Sequence, residues 1–167
     1  MIYPANFESK IGFDRIRALI AERCNTEAAR TKLDEHRFSS RREVVENRIA
    51  SADEMRTIIQ MEHEFPNEEF CDLTALIAKV RVEGTFLDLE EAVLLARALR
   101  QVDAISRFIR SRERAVYPTL HRLTEDVISL EAITNHIDSL IDRFGQMRDS
   151  ASDELYRIRR AIREREG

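Results

Sequence analysis

The chain has 167 residues, of which 43% are apolar and 35% charged, and its net charge is −4. This length fits one domain or one compact helical region, and the mixture of alternating charges with Leu, Ile and Val argues against disorder. The negative balance argues against a dedicated nucleic-acid binder. Only 4 glycines and 3 prolines are present and tryptophan is absent, which favours long helices over a turn-rich β fold.

Charge is unevenly spread along the sequence. Nine acids stand against two bases between Glu62 and Glu91, and six arginines stand against two acids between Arg97 and Arg114. The first segment therefore predicts an acidic surface, and the second predicts an arginine-rich helix.

The N-terminal residues and the cysteines indicate a cytoplasmic chain. The opening segment, MIYPANFESK, lacks the basic and apolar regions of a signal peptide. No apolar run approaches the roughly 20 residues of a membrane span. Because Cys24 and Cys71 lack zinc-binding spacing, we expect both to be buried thiols in a reducing cytosol.

The first predicted helix follows Gly12 and covers FDRIRALIAERC. Its apolar residues recur at three- and four-residue spacing, which defines one face. A second short helix begins at Thr26, whose hydroxyl is placed to cap it. The apolar face of the first helix consists of Phe13, Ile16, Leu19, Ile20 and Cys24.

The third predicted helix begins at a capping box. Ser40 and Glu43 have the spacing at which each side chain satisfies the other's backbone N–H. The helix ends before Pro66, and an acidic loop, EFPNEEF, follows it. The expected buried stripe of this helix consists of Val45, Ile49, Ala52, Met55 and Ile59.

Two further helices follow the acidic loop. Asp72 is placed to cap LTALIAKVRVE, and Gly84 stands where a left-handed C′ residue is usual. Asp88 and Glu91 repeat the reciprocal capping pattern at the start of the longest helix, which we expect to run to about Val116. Its near-heptad stripe consists of Leu95, Leu99, Val102, Ile105 and Ile109.

The last part of the sequence predicts three shorter helices. One follows Pro118, and the next begins near Ser129. The stretch 141–149, which contains Gly145, is expected to be extended or hairpin-like, and Ser152 caps the last helix ahead of two acids. The inward side chains of the middle helix are Ile133, Ile137, Leu140 and Ile141. The sequence thus predicts an all-α fold, an irregular bundle of about seven or eight helices.

No motif for catalysis or cofactor binding is found. The glycines are isolated, so no phosphate cradle is expected, and the four histidines lack metal-binding spacing. His121 and Glu125 are expected to form a salt bridge or a solvated pair and not a metal site, and His136 is expected to be a half-buried packing residue. One acidic group lacks the spacing of a calcium loop and is expected to be solvated; it comprises Glu62, Glu64, Glu68, Glu69 and Asp72. We therefore predict no catalytic, cofactor or metal site.

An arginine flank marks the longest helix. Arg100, Arg107 and Arg114 lie seven residues apart, and Arg110 lies close to their line, away from the apolar stripe. The flank is either a solvated face or a possible interaction surface for an acidic partner or nucleic-acid phosphates. A third alternative is that these arginines belong to a small all-helical enzyme of the chorismate-mutase type.

The last helix carries a packing stripe of its own. Leu155, Ile158 and Ile162 repeat at three- and four-residue spacing. A helix of about fourteen residues is marginal alone in water. We expect its first turns to pack on the preceding helices, and its end to fray or to pair with another copy.

Three segments carry a family pattern in the same order along the chain. The strongest is IDRFGQMRDSASDELYRIRRAIRE, and the others are FDRIRALI and CDLTALIAKVRVEGTFLDLEEAVLLARAL. The pattern residues of the first are Ile141, Asp142, Gly145, Asp149 to Ser152, Leu155, Ile158 and Arg159. The chain resembles the N-terminal region of the MutS-two family, bacterial MutS paralogues with a C-terminal Smr nuclease domain. Two residues depart from the family pattern. Phe144 stands where a polar or acidic residue is usual, and Ala29 stands where a glycine is usual.

The resemblance implies that residues 1–151 are a helical N-terminal core region and that residues 152–167 begin a lever helix. The chain would then be a fragment of a dimeric, ATP-driven, DNA-binding protein with lever, clamp, ATPase and Smr nuclease domains. Restraint of homologous recombination or rescue of collided ribosomes is implied for this parent. ATP and Mg²⁺ are implied for the parent only, and its ATP-binding and nuclease residues have no matching positions here.

The chain itself is predicted to be a non-catalytic structural and interaction region without membrane contact. Its expected partners are the lever and ATPase of the parent, on which Leu155, Ile158 and Ile162 would pack. The resemblance further implies that the parent pairs with a second copy of itself and binds DNA or a ribosome. The alternative is a free-standing helical adaptor that binds a partner helix.

Overall fold

The structure, a computed structural model, describes residues 6–67 and 70–166. Within these ranges the chain forms nine α-helices and a short 3-10 turn, Asp149–Ala151, and no strand. The all-α prediction is confirmed, and the helix number is close to the seven or eight expected; α1 is a four-residue addition. The helices are α1 (Phe7–Lys10), α2 (Phe13–Ala21), α3 (Glu27–Glu35), α4 (Arg42–Met61), α5 (Thr74–Val80), α6 (Leu89–Ser111), α7 (Pro118–Thr124), α8 (Glu131–Leu140) and α9 (Asp153–Glu166).

A small core lies where α4, α6 and α7 meet. Met55, Phe65 and Ile105 pack around it, and the Phe65 and Phe108 rings meet edge to face with centroids 5.3 Å apart. This arrangement suits the aromatic quadrupoles. The buried cluster consists of Ile58, Phe108, Ile109, Tyr117 and Leu120.

Polar groups close this core at the start of α7. The Glu54 carboxylate of α4 accepts backbone hydrogen bonds from Thr119 at 3.0 Å and from Leu120 at 2.8 Å. The first N–H groups of a helix lack intrahelical partners and carry partial positive charge. Glu54 therefore joins α4 to α7 by serving as a cap from another helix.

The predicted stripe of α4 is wrong at four positions. Val45, Ile49, Ala52 and Ile59 are exposed, whereas Ile58 is fully buried. The face that contacts α7 passes through Glu54 and Ile58, with Met55 packed against the core. The helix α4 carries apolar residues on both sides of the face that contacts α7. The packing of α7 therefore decides which of them are buried.

Three predicted caps are confirmed. Thr26 accepts from the Ala29 N–H at 3.1 Å, and Ser152 accepts from the Leu155 N–H at 3.1 Å. Asp88 and Glu91 form the reciprocal capping box of α6, with both hydrogen bonds at 2.9 Å. Each cap depends only on neighbours in the sequence, which is why the sequence predicts it.

The predicted capping box of α4 is wrong. The helix begins at Arg42 after the N-cap residue Arg41, without a side-chain cap. Ser40 then lies one residue before the N-cap position and Glu43 is the second helical residue, whereas a capping box needs these two residues at the N-cap and the third helical position. The Ser39 hydroxyl instead accepts from the Arg41 N–H at 3.2 Å.

Three helices end earlier than expected. The helix α2 ends at Ala21 instead of Cys24. The helix α5 ends at Val80, so Gly84 is not its C′ residue, although its φ of +81° is left-handed as predicted. The helix α6 ends at Ser111 instead of near Val116, because Arg112 is extended. The loop that this creates lets the chain reverse into α7.

Asp72 contacts two helix starts. Its carboxylate accepts from the Thr74 N–H and from the Ala28 N–H, each at 2.9 Å. These bonds, that of Thr74 first, lower the pKa of the Asp72 carboxyl because they stabilise its charged form. The expected cap of α5 is therefore present just ahead of the N-cap residue, Leu73, and it also joins α5 to α3.

A tight hairpin follows α8, as the sequence predicts. Ile141 and Met147 form an isolated antiparallel bridge, and Gly145 has a φ of +76°. The Asp142 carboxylate accepts from the N–H groups of Phe144 at 2.8 Å and Gln146 at 2.9 Å. Hydrogen bonds from this turn, Gln146 first, lower the pKa of Asp142.

The inward face predicted for α8 is right at its C-terminal end only. Ile141 is buried and Ile137 and Leu140 are half-buried, whereas Ile133 is exposed. No helix in residues 6–67 and 70–166 is long and apolar enough to cross a membrane.

Candidate interaction surface

The residues considered for metal binding do not converge. Within the described ranges no three His, Cys, Asp or Glu side chains form a group that could hold a metal ion. Glu62 lies 3.2 Å and Glu64 3.8 Å from Arg112, and Asp72 lies at the α3 and α5 starts. Glu68 and Glu69 lie outside the described residues. The other acids thus take part in local ion pairs and caps.

Both histidine predictions are wrong. A ring nitrogen of His121 lies 3.0 Å from the Arg112 carbonyl, and Glu125 instead pairs with Arg114 at 3.5 Å. His136 is exposed, not half-buried. For His121, a contact with a residue outside the helix decides the environment.

The cysteines are less buried than expected. Cys24 and Cys71 are half-buried and form no disulfide. The Cys24 thiol, just after the end of α2, donates to the Ile20 carbonyl at 3.4 Å.

The arginine flank of α6 faces α7 and α8. Arg100 pairs with Asp138 of α8, and Arg107 pairs with Asp103 at 2.8 Å. Arg110 donates to the carbonyl of Thr124, the last residue of α7, at 2.9 Å and to the carbonyl of Val127 in the loop that follows. Arg100 and Arg110 therefore join α6 to its neighbours, while Arg100 and Arg107 stay more than half exposed.

The flank continues into a cleft between α6, α8 and the hairpin. The cleft has a volume of about 480 Å³ and is lined by four arginines and two aspartates. Its floor includes Val93, whose side chain lies against the hairpin at Gly145. Its charged residues are Arg97, Arg100, Asp138, Asp142, Arg143 and Arg148. The cleft thus has a local positive excess in a chain whose net charge is −4.

Sequence reasoning missed three arginines of this cleft. Arg97 lies one turn before the predicted flank, and Arg143 and Arg148 border the hairpin more than 40 positions later. The signal available was the pair of bases around Gly145 in DRFGQMR. Helical periodicity does not show that a later hairpin folds back onto α6.

Apolar side chains dominate a large part of the described surface. Among the residues that the structure describes, twenty-three large hydrophobic residues are exposed and nine hydrophobic residues are buried. The chain exposes 13303 Å², whereas a compact protein of 19.5 kDa exposes about 8,500 Å². Single exposed apolar residues are ordinary, but contiguous apolar faces mark interaction sites.

The exposed apolar residues form faces on the peripheral helices. Ile16, Leu19 and Ile20 of α2 are exposed, so the predicted apolar face exists but lacks a cover among the described residues. An apolar groove of about 330 Å³ lies nearby, between α2 and α4. Its apolar lining consists of Phe13, Phe38, Val45 and Ile49.

The helix α9 shows the same property. Leu155 is half-buried, while Ile158 and Ile162 are 50% and 48% exposed. The helix is fixed at the 3-10 turn, where Arg159 and Arg163 pair with Asp149. These pairs, Arg159 first, lower the pKa of the Asp149 carboxyl.

The described helices leave several apolar faces exposed, and in sequence the chain is similar to proteins of the MutS type. The chain is 25% identical over 154 residues to Endonuclease MutS2 of Aquifex aeolicus, which covers 92% of the chain and 20% of that relative. It is 27% identical over 154 residues to Endonuclease MutS2 of Streptococcus gordonii, with the same coverage. It is 29% identical over 158 residues to Endonuclease MutS2 of Gemmatimonas aurantiaca, 93% of the chain and 19% of the relative.

The resemblance to the MutS2 family is therefore confirmed over about nine-tenths of the chain. The chain spans about one-fifth of the length of the curated relatives it matches. No family model matches the chain, and no solved structure is significantly similar to it.

Proposed function

We propose that the chain is a non-catalytic structural and interaction region of a MutS-type DNA-binding ATPase. In this proposal it packs its exposed apolar faces on the lever and ATPase parts of the same protein. The parent is dimeric, binds ATP and Mg²⁺ through its own residues outside this chain, and acts on DNA or on a ribosome. Restraint of recombination or rescue of collided ribosomes is its proposed role.

The excess surface supports this proposal most strongly. The chain exposes 13303 Å², about 4,800 Å² more than a compact protein of its mass. Obligate interfaces bury about 2,000–5,000 Å² counted over both partners, or about 1,000–2,500 Å² on each, and are rich in apolar residues. The excess on this one chain is larger than one side of such an interface, so it leaves room for a covering partner, and the relatives are long enough to supply one.

The helix α9 is the proposed connection to that cover. Asp149 holds its first turns through Arg159, whose guanidinium also donates to the Met147 carbonyl at 3.0 Å. Ile158 and Ile162 remain about half exposed. A helix that is fixed at its start and apolar along one side fits the first turns of a lever that continues into further protein.

The arginine flank stays a proposed interaction surface. Arg100, Arg107, Arg110 and Arg114 each contact an internal acceptor, so an anion would compete with Asp138, Asp103 or Glu125. Weak, salt-dependent binding is what such competition allows.

The reading frame beyond codon 167 tests the proposal directly. We expect an in-frame phosphate-binding loop motif within a few hundred codons, followed by a nuclease domain. A stop codon soon after codon 167 would contradict the proposal and favour the free-standing adaptor.

Calorimetry with Mg-ATP tests the non-catalytic part of the proposal. The chain is expected to give no binding heat, because its glycines are isolated and no run of them can place several backbone N–H groups around a phosphate. Saturable micromolar binding that disappears when one residue cluster is changed would contradict it.

A further inference from the structure

The hairpin after α8 presents an aromatic ring to solvent beside basic groups. Phe144 lies next to the hairpin tip and is 74% exposed. The Arg143 guanidinium carbon lies 4.7 Å from the centroid of its ring. One face of the ring is thus covered by a cation, and an exposed ring offers its other face for stacking.

The hairpin holds this ring in a defined position. Asp142 accepts two backbone N–H groups of the turn, and the left-handed Gly145 allows the reversal. The Arg148 Nε donates to the Asp138 carbonyl at 2.9 Å and to the Ile141 carbonyl at 3.1 Å. The Phe144 ring is therefore exposed because of the hairpin's own bonding.

Two arginines of the cleft retain binding capacity. Within residues 6–67 and 70–166, the terminal nitrogens of Arg143 and Arg148 donate to no protein acceptor. Arg148 is anchored through Nε alone, so its two terminal nitrogens keep the planar, forked geometry that matches a phosphate. Asp138 pairs with Arg100, and Asp142 accepts from the turn. These turn bonds lower the pKa of the Asp142 carboxyl, and the nearby charges of Arg148 and Arg143 help to lower it without a hydrogen bond to Asp142.

We propose that the hairpin and the adjoining cleft bind single-stranded nucleic acid. One base stacks on the open face of Phe144, and the phosphates that flank it contact Arg143 and Arg148. An exposed aromatic ring beside a basic groove is the combination that single-strand binding uses. A duplex lacks an available base face, because its bases already stack on one another, so the site selects unpaired strands. This inference does not depend on the proposed docking of the apolar faces.

Fluorescence anisotropy with a labelled oligothymidine of about eight nucleotides tests the site at low salt. The chain is expected to bind saturably, and Phe144→Ala to weaken binding about tenfold or more, while Phe144→Trp retains it. Contact with two phosphates predicts a slope of log K against log salt of about −1.4, and loss of one contact in Arg148→Gln predicts about −0.7.

Arg15→Gln is the matched control, because it removes one charge from an exposed position on α2. It should leave affinity unchanged, and thermal unfolding followed by circular dichroism should show every variant folded. Absence of binding at low salt would overturn the proposal. So would unchanged affinity in Phe144→Ala, or equal weakening by Arg15→Gln and Arg148→Gln. Equally strong competition by a polyglutamate peptide would show a general anion site and overturn it as well.

Discussion

The centre of the molecule and the peripheral helices α2 and α9 are built from similar amphipathic sequence, yet the centre buries its apolar side and these two helices leave most of theirs exposed. In α4, α6 and α7, Ile58, Ile109 and Leu120 pack into one cluster. In α2 and α9, residues of equal spacing such as Leu19 and Ile158 remain exposed. Periodicity thus indicates that a helix has an apolar face, but the presence of a partner decides whether that face forms a core.

The two regions also differ in how polar groups join them. In the centre, Glu54 caps α7 from another helix, and the Tyr117 hydroxyl donates to Glu62 at 3.2 Å. In the periphery, Arg17 joins α1, α2 and α3 by pairing with Glu8 at 2.9 Å and donating to the carbonyls of Leu33 and His36. In the centre, hydrogen bonds between helices accompany apolar packing. In the periphery, hydrogen bonds and ion pairs are the main contacts that join the helices.

Replacing Ile58 by alanine should give the largest effect, since it is 0% exposed. The cavity should lower the free energy of unfolding by about 2–5 kcal/mol. Its neighbour Ile59 is 68% exposed, so Ile59→Ala should change the free energy of unfolding by about 0.5 kcal/mol or less. Urea unfolding measures both. Similar losses in the two variants would show that the centre is not the stable part of the molecule.

Replacing Glu54 by glutamine should give the next largest effect. The amide keeps one acceptor but loses the charge at the start of α7, which should lower the free energy of unfolding by about 1–2 kcal/mol. Asp53→Asn is the control, because the Asp53 side chain forms an exposed pair with Arg56. This change should lower the free energy of unfolding by about 0.5 kcal/mol or less. Equal effects in the same urea experiment would argue against the interhelix cap.

Replacing Gly145 by alanine tests the hairpin. A Cβ there would meet only Val93 at 3.8 Å, an ordinary contact, so the loss should come from the left-handed backbone. We expect about 1 kcal/mol in unfolding free energy. Gly145→Asn should lose less, since asparagine tolerates this conformation. An asparagine variant as unstable as the alanine variant would indicate a steric cause instead.

Acid should loosen α9 before it unfolds the centre. The pKa of Asp149 is lowered from its ordinary value of 3.8 by Arg159 and Arg163. The pairing is therefore present above that value and is lost as the pH falls through the lower, folded-state pKa. Cleavage within α9 by an acid-active protease, measured as a function of pH, should rise as the pH falls through this pKa. In Asp149→Asn the cleavage should be high at every pH, and a pH dependence that survives would point to other groups.

The sequence predicts local structure better than it predicts partners. Thr26, Ser152 and the pair of Asp88 and Glu91 act as caps because their geometry depends on three or four consecutive residues. The stripe of α4 was wrong at Ile59 because two apolar sides compete, and a contact with α7 more than 55 positions away decides between them.

The candidate surface shows the same division. The arginine flank of α6 follows from helical spacing, but its pairing with Asp138 depends on how α8 packs. The hairpin itself was predicted, whereas its approach to α6 at Val93 was not. Arg143, Phe144 and Arg148 therefore joined the surface only through tertiary structure.

Hydrogen exchange tests the central claim, that the exposed apolar faces are covered by the rest of a MutS-type protein. Backbone amides near Ile58 should be protected both in this chain alone and in the complete protein from its gene. Amides from Ile158 to Ile162 should exchange fast in the chain alone and become protected in the complete protein. Protection confined to the region of Ile58 in both, with α9 equally fast in each, would contradict the account.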